Sequence, residues 1–255
     1  MSDPTKRFST RVENYIRYRP GYPEALLPLL EERSTLRHGD LVADLGAGTG
    51  KLTERFVERG YSVYSIEPNE PMRLAAGRLV GSGDCRFVDG SAEATGLADS
   101  SVDLVAAAQA FHWFDLEPTL DELARILRPG GRVALIWNVR DERCSGFMRD
   151  YEALLADHGT DYRNVGAHGV DTGTRERLFG PHRGSFERIP NEQRLGRDGL
   201  VGRVLSASYA PEAGHPGHEE MIAALDALFR RHETAGEVVL HYRTEVYHGP
   251  FYRYI

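Results

Sequence analysis

The sequence predicts an α/β fold, on three observations. A short apolar run, Leu41 to Ala43, opens into a glycine turn and then a helical pattern. A second such run, Ser62 to Ile66, ends on an acid, Glu67. Further strand-like runs alternate with helical ones as far as Trp137. Short runs buried on both faces, each followed by an amphipathic helix, are how a parallel sheet reads in sequence.

The glycine turn is the most informative stretch. Asp44 and Leu45 precede glycines at alternate positions, Gly46, Gly48 and Gly50, and Leu52, Phe56 and Val57 then follow at helical spacing, with Gly60 as the stop. A P-loop would place one more residue between its glycines and put Ser or Thr after the lysine, but Leu52 follows Lys51. A dinucleotide turn needs a small third residue where Lys51 stands, and Asp44 would repel a pyrophosphate. A ligand carrying positive charge is attracted instead. S-adenosylmethionine (SAM), with an ammonium, a sulfonium and no phosphate, fits that requirement. Alternate glycines can equally make a tight turn with no ligand. Glu67, seventeen residues past Gly50, stands near the offset of about 20 at which an acid meets a ribose in α/β nucleotide sites.

VADLGAGTGKLT followed by IEPNEPM resembles the first two motifs of the class I SAM-dependent methyltransferases. The resemblance implies that Gly46, Ala47 and Gly48 approach the methionine part. Asp44 faces its amino group, and Glu67, with Pro68 beside it, holds the ribose hydroxyls. It also implies a Rossmann-like, seven-stranded, mostly parallel sheet with an antiparallel last strand, helices on both faces and a helical cap. The family motif spans roughly residues 35–140.

Composition bounds the rest. The chain has 255 residues, enough for one large α/β domain, and a net charge of −7 with no basic run, which disfavours a broad nucleic-acid footprint. Cys85 and Cys144 make neither a disulfide framework nor a metal set, and the ten histidines show no metal-binding spacing. With no apolar leader and no long apolar run, we expect a soluble, cytoplasmic protein, a monomer or weak homodimer, with no metal, membrane or nucleic-acid partner.

Residues 1–37 form an expected N-terminal cap segment ahead of a SAM-binding domain at 38–255. Arg11 to Tyr18 reads as a helix, stopped by Arg19-Pro20-Gly21, and Tyr22-Pro23 opens a second helix with its apolar face at Ala25, Leu26, Leu27, Leu29 and Leu30. Tyr18, Arg19 and Tyr22 crowd this junction, either as packing or as a lid. Pro71 suits the first turn of a helix carrying Met72, Leu74, Ala75, Ala76 and Leu79, and Met72 reads as core. Cys85 to Val88 is the third strand. Ser91-Ala92-Glu93 after it resembles the family's adenine-recognition motif, while Asp89 or Ser91 could cap a short helix.

Val102 to Ala107 is the fourth strand and leads into Gln109, Phe111, His112 and Trp113. Packing is one reading of these aromatics. QAFHWFD, YRPGYP and IWN also resemble a subgroup typified by trans-aconitate methyltransferases, which implies Gln109 at the cofactor. Glu117 to Leu127 is a helix, LRPGG a turn, and Arg132 to Trp137 the fifth strand. Phe147 to Leu155 reads as helical and 162–181 as a glycine-rich loop. Ser185 to Leu195 is an edge strand because of Pro190. Asp198 caps a helix, His218 to His232 is another, and Glu237 to Tyr247 is the last strand, so a helical insertion at about 197–235 separates the final two strands.

The leading expectation is a SAM-dependent methyltransferase for a small molecule. His112, Trp113 and Tyr18 are the candidate catalytic residues, and Arg19, Arg140, Arg203 and Tyr209 the candidate acceptor contacts. An arginine fork suits a carboxylate acceptor. A nucleotide-dependent oxidoreductase and a non-catalytic SAM-binding protein are the alternatives.

Overall fold

The computed structural model describes residues 16–252, apart from positions 34, 82, 161, 163–168 and 182–183. Its strands are β1 (Leu41–Leu45), β2 (Ser62–Ile66), β3 (Cys85–Val88), β4 (Val102–Ala108), β5 (Leu127–Arg140), β6 (Ser185–Leu195) and β7 (Val238–Pro250). They form one seven-stranded sheet in the order β3-β2-β1-β4-β5-β7-β6. The first five pair in parallel, and β7 runs antiparallel to both β5 and β6. The helices are α1 (Leu26–Glu32), α2 (Lys51–Glu58), α3 (Glu70–Val80), α4 (Leu116–Ile126), α5 (Gly146–His158), α6 (Thr172–Phe179), α7 (Arg197–Leu205) and α8 (Gly217–His232).

Alternation along the strands divides their side chains between two cores. Ala43, Leu45, Val133, Leu135 and Trp137 pack with Leu123 and Ile126 of α4 and with Leu178 and Phe179 of α6. Val42, Val63, Leu104, Ala134 and Ile136 pack with Leu26, Leu27 and Leu30 of α1 and Leu52 and Phe56 of α2. Cys85 is partly buried against this second core, as a small hydrophobe. A third cluster joins α5, α7 and α8 to Leu195, Val238, Leu240 and Tyr242, beyond the parallel part of the sheet. Among the described residues no helix is long and apolar enough to cross a membrane.

Several local readings are corrected. The stretch 162–181 contains α6, because Asp171 caps it (Thr174 N donates to Oδ1 at 3.0 Å) and Leu178 and Phe179 find a core. No helix follows β3. Ser91 and Ala94 exchange backbone hydrogen bonds in a turn, so neither Asp89 nor Ser91 acts as a cap. β5 starts five residues before Arg132, at Leu127, which pairs with Val102 ahead of a register shift that absorbs the LRPGG turn. Gly196, not Asp198, stands at the N-cap of α7, and Asp198 lies in the first turn. Residues 16–18 are helical, whereas the rest of the Arg11–Tyr18 pattern lies outside the described residues.

The segment 18–22 is tied down across the carboxyl end of the sheet. Gln193 Nε2 donates to the Tyr18 carbonyl (2.8 Å), and Arg19 Nη2 donates to the Ser206 carbonyl (3.1 Å). Asn138 Nδ2 and Asn191 Nδ2 both donate to the Gly21 carbonyl at 3.0 Å. The Tyr18 ring lies on Gly202 of α7 so closely that a Cβ there would overlap it. Gly202→Ala should therefore cost about 1–3 kcal/mol, the usual range for overpacking, and raise hydrogen exchange at 18–22. Unchanged urea stability together with unchanged exchange would contradict this packing.

Candidate active site

The strand order reverses between β1 and β4, and beyond such a switch point an open α/β sheet leaves room for a ligand. A cavity of about 430 Å³ opens there. Gly46 holds φ +62°, and a Cβ on it would come within 2.7 Å of the Ala110 Cβ, so only glycine fits. The turn is fixed by Glu67, which accepts from Gly48 N at 2.8 Å and from Asn69 N at 2.9 Å. Burial pushes the Glu67 carboxyl upward, against the pull of those two amides. Gln109, just past β4, takes φ +56°, a conformation costing a non-glycine residue about 1–2 kcal/mol. Its amide donates to the Ile136 carbonyl (2.9 Å) and its side chain to the Asn138 carbonyl (3.1 Å), which holds it there.

Asp44 is 1 % exposed. One carboxylate oxygen accepts from Thr53 Oγ1 at 2.6 Å, and the other is buried with no hydrogen-bond partner. Burial, opposed by Thr53 and reinforced by the charge of Glu67, pushes its pKa up to about 7. An unsatisfied buried carboxylate beside a glycine turn suits a cationic ligand group, such as an ammonium.

The other half of the cavity is built by β5, α7 and the segment after it. Arg140 donates from Nη2 to the Tyr162 hydroxyl (2.6 Å), and Arg140 Nε and the Tyr162 hydroxyl both donate to Glu152 of α5. Arg203 is 3 % exposed, and its Nε donates to the Tyr242 hydroxyl at 3.3 Å. Its Nη1 is buried without a partner, as is the Tyr209 hydroxyl. Burial works against the charge on Arg203, yet the surrounding tyrosines move its pKa upward. For Tyr209, burial raises the pKa, but Arg140, Arg203 and Arg19 together bring it below the usual phenol value.

The structure brings almost all the sequence-predicted site residues to this one cavity. Asp44, Gly46, Ala47, Gly48, Glu67 and Pro68 line its β1–β2 side, and Ser91, Ala92, Glu93 and Gln109 line the floor beside them. His112 and Trp113, on a single 3-10 turn after β4, are exposed at the wall, while Phe111 turns inward. Arg19, Arg140, Arg203 and Tyr209 complete the far side. Tyr18 is the correction: it does not line the cavity, because its ring packs on Gly202. Met72, read as core, is both buried and cavity-lining. Lys51, Asn69, Asn138, Tyr162 and Tyr242 also line the cavity and are not among the site residues the sequence predicts. Asn69 had a visible signal, since it caps α3 ahead of a proline.

Residues 43–135 match a family described as methyltransferase domain. Over these residues, about a third of the chain, the sequence is similar to that domain. Uncharacterised methyltransferases of Mycobacterium tuberculosis and Mycobacterium bovis are 41 % identical over 166 residues, 64 % of this chain and 64 % of each relative. The chain thus spans just under two thirds of the length of these curated relatives. One from Schizosaccharomyces pombe is 37 % identical over 150 residues, covering 56 % of this chain and 59 % of that protein. Among solved structures, a type II methyltransferase assignment from Anaeromyxobacter dehalogenans superposes with TM-score 0.61 at 24 % identity, covering 93 % of this chain and 100 % of that one. At that identity the likeness concerns the fold.

SAM is the cofactor that goes with such a domain, and the donor set fits it. Glu67 would hold the ribose, Asp44 the ammonium, and the Gly46–Gly48 backbone the methionine part. Losing Glu67 or Asp44 should weaken SAM by about 1.5–3 kcal/mol, the worth of hydrogen bonds to charged groups. The sign of the pH effect follows from Asp44. Its raised pKa favours the folded, ligand-free protein at low pH, and that contribution is lost as pH rises through about 7. An ammonium needs the ionised form, so SAM should bind more tightly at pH 7 than at pH 6, by up to about fivefold, over a range in which its own amino group stays mostly protonated. Asp44→Asn should remove that slope. Calorimetric titration at both pH values checks it, and a slope that persists in the variant would rule out Asp44 as its source.

Proposed function

We propose that this chain is a SAM-dependent methyltransferase acting on a small molecule that carries a carboxylate. The observation that carries this reading is Arg203. It is a buried guanidinium in the same cavity as the cofactor cradle, with no carboxylate at ion-pair distance among the described residues. A buried charge left unpaired is costly, and a bound anion satisfies it. The comparisons support methyl transfer, and the electrostatics of the far wall support an anionic acceptor.

When bound, SAM supplies an activated sulfonium methyl group. The chain's own task is alignment and exclusion of water. Arg203 and the Tyr242 hydroxyl hold the acceptor carboxylate, and the Tyr209 hydroxyl faces the same space. Phe114, Trp113 and His112 shape the approach from β4, and the segment 18–22 with α7 covers the site as a cap. SAM held there would give its methyl group to a carboxylate oxygen, leaving a methyl ester and S-adenosylhomocysteine, with no proton to be moved by the chain. His112 on this reading positions the acceptor by hydrogen bond and shape.

A panel of carboxylic acids, each paired with its amide, should be incubated with methyl-labelled SAM. Label is expected in base-labile esters of the acids and not in the amides. Arg203→Met should lower kcat/KM by about 2–5 kcal/mol, the range for truncating one partner of a buried charged contact. Transfer to amides as readily as to acids would defeat the carboxylate reading.

A second measurement addresses His112. For an acid acceptor, kcat from about pH 5.5 to 9 should be flat in the histidine range, and His112→Gln should lose activity without changing the profile. A limb that disappears in the variant would instead make His112 a general base.

A further inference from the structure

The far side of the cavity holds two arginines, Arg203 buried and Arg140 partly buried, that differ in their partners. Glu152 does not line the cavity, yet it accepts from Arg140 Nε and from the Tyr162 hydroxyl, whose side chains both line it. Arg140 therefore faces the cavity with its charge already matched, the two side chains being 15 % and 14 % exposed. Arg203 has a phenol as its side-chain partner and a buried nitrogen with none. Arg19, the third guanidinium lining the cavity, donates to the Ser206 carbonyl and adds to the positive field of the whole region.

We propose that Glu152 is a positioning residue that decides which arginine holds the acceptor, by neutralising Arg140 and so directing the carboxylate to Arg203. A carboxylate arriving at Arg140 meets the negative charge of Glu152 behind it. At Arg203 it meets none. Two equivalent guanidiniums would let the acceptor bind in two places, only one of them in line with the methyl group. The Glu152 carboxylate removes that degeneracy from outside the cavity. The shared contact with Tyr162 locks the arrangement, since moving Arg140 toward a ligand would break bonds to both Tyr162 and Glu152.

The inference rests on the carboxylate reading above, and a double-mutant cycle separates the two. Hexanoate, whose only polar group is its carboxylate, is titrated by calorimetry into protein saturated with S-adenosylhomocysteine. In the wild-type background, Arg203→Met should weaken hexanoate by about tenfold or more. Glu152→Gln should tighten it, because a second guanidinium is released. In the Glu152→Gln background, Arg203→Met should then cost less than about threefold, because Arg140 takes over. A tenfold loss in both backgrounds overturns the role of Glu152 and leaves the carboxylate reading standing. No hexanoate binding by the wild type, or binding indifferent to Arg203, overturns both.

Should Glu152→Gln fail to fold, Arg140→Met with Glu152→Met replaces the whole ion pair by apolar groups, an exchange buried pairs often tolerate. Hexanoate affinity within about threefold of wild type is expected, since Arg203 alone holds it. A tenfold loss would assign the anchor to Arg140 and end the proposal.

Discussion

The carboxylate of Glu67 is the contact on which the site depends. It receives the amide of Gly48 from the turn after β1 and the amide of Asn69 from the start of α3, so one side chain ties two loops together. Arg73, from the next turn of α3, donates to the Glu67 carbonyl at 2.7 Å and reinforces the same junction. With the turn held open in this way, Gly46 can lie against Ala110 and the backbone of residues 46–48 borders the cavity. Carboxylate oxygens have acceptor capacity beyond these two amides, so the group that shapes the cradle also has lone pairs left for a ligand.

A parallel sheet covered on both faces leaves few places for polar side chains. Here many of them gather at the carboxyl edge, while the Arg132–Asp40 pair is buried elsewhere. Asp44, Glu67 and Glu93, together with Lys51, line the glycine-turn side of the cavity, and Arg19, Arg140 and Arg203 the far side. Each half repels what the other attracts. On the function proposed above, a cationic cofactor and an anionic acceptor are sorted between the two halves, and ester formation would remove the charge that draws the acceptor to the arginine wall.

Much of the cradle could be read from the chain because its parts are local. The turn from Asp44 to Gly50, the acid closing β2 and the aromatics closing β4 each sit at a strand end, where short-range pattern and position coincide. The far wall was legible only as a set of arginines and one tyrosine. Glu152, Tyr162 and Tyr242 belong to a helix, a loop and a late strand with no motif among them, and they meet only because α5, α7 and β7 pack into one cluster. Tyr18 misled for the opposite reason. It stands beside Arg19 in a motif-like segment, yet a glycine on α7 draws its ring away from the cavity. The helix α6 was hidden by weak amphipathic pattern and many polar residues, and its stability comes from a cap and two terminal hydrophobes.

The placement of β7 has a bearing on how the chain reaches this state. It lies between β5 and β6, pairing with β5 over 242–250 and with β6 over 238–248. Until β7 is synthesised, β5 has an open edge and β6 has no neighbour in the sheet. On the ribosome the parallel strands β1 to β5 can therefore assemble first, while β6, α7 and α8 remain outside the sheet until the last strand arrives. Arg140 and Arg203 are then brought to one wall by a late, long-range step, which favours slow closure.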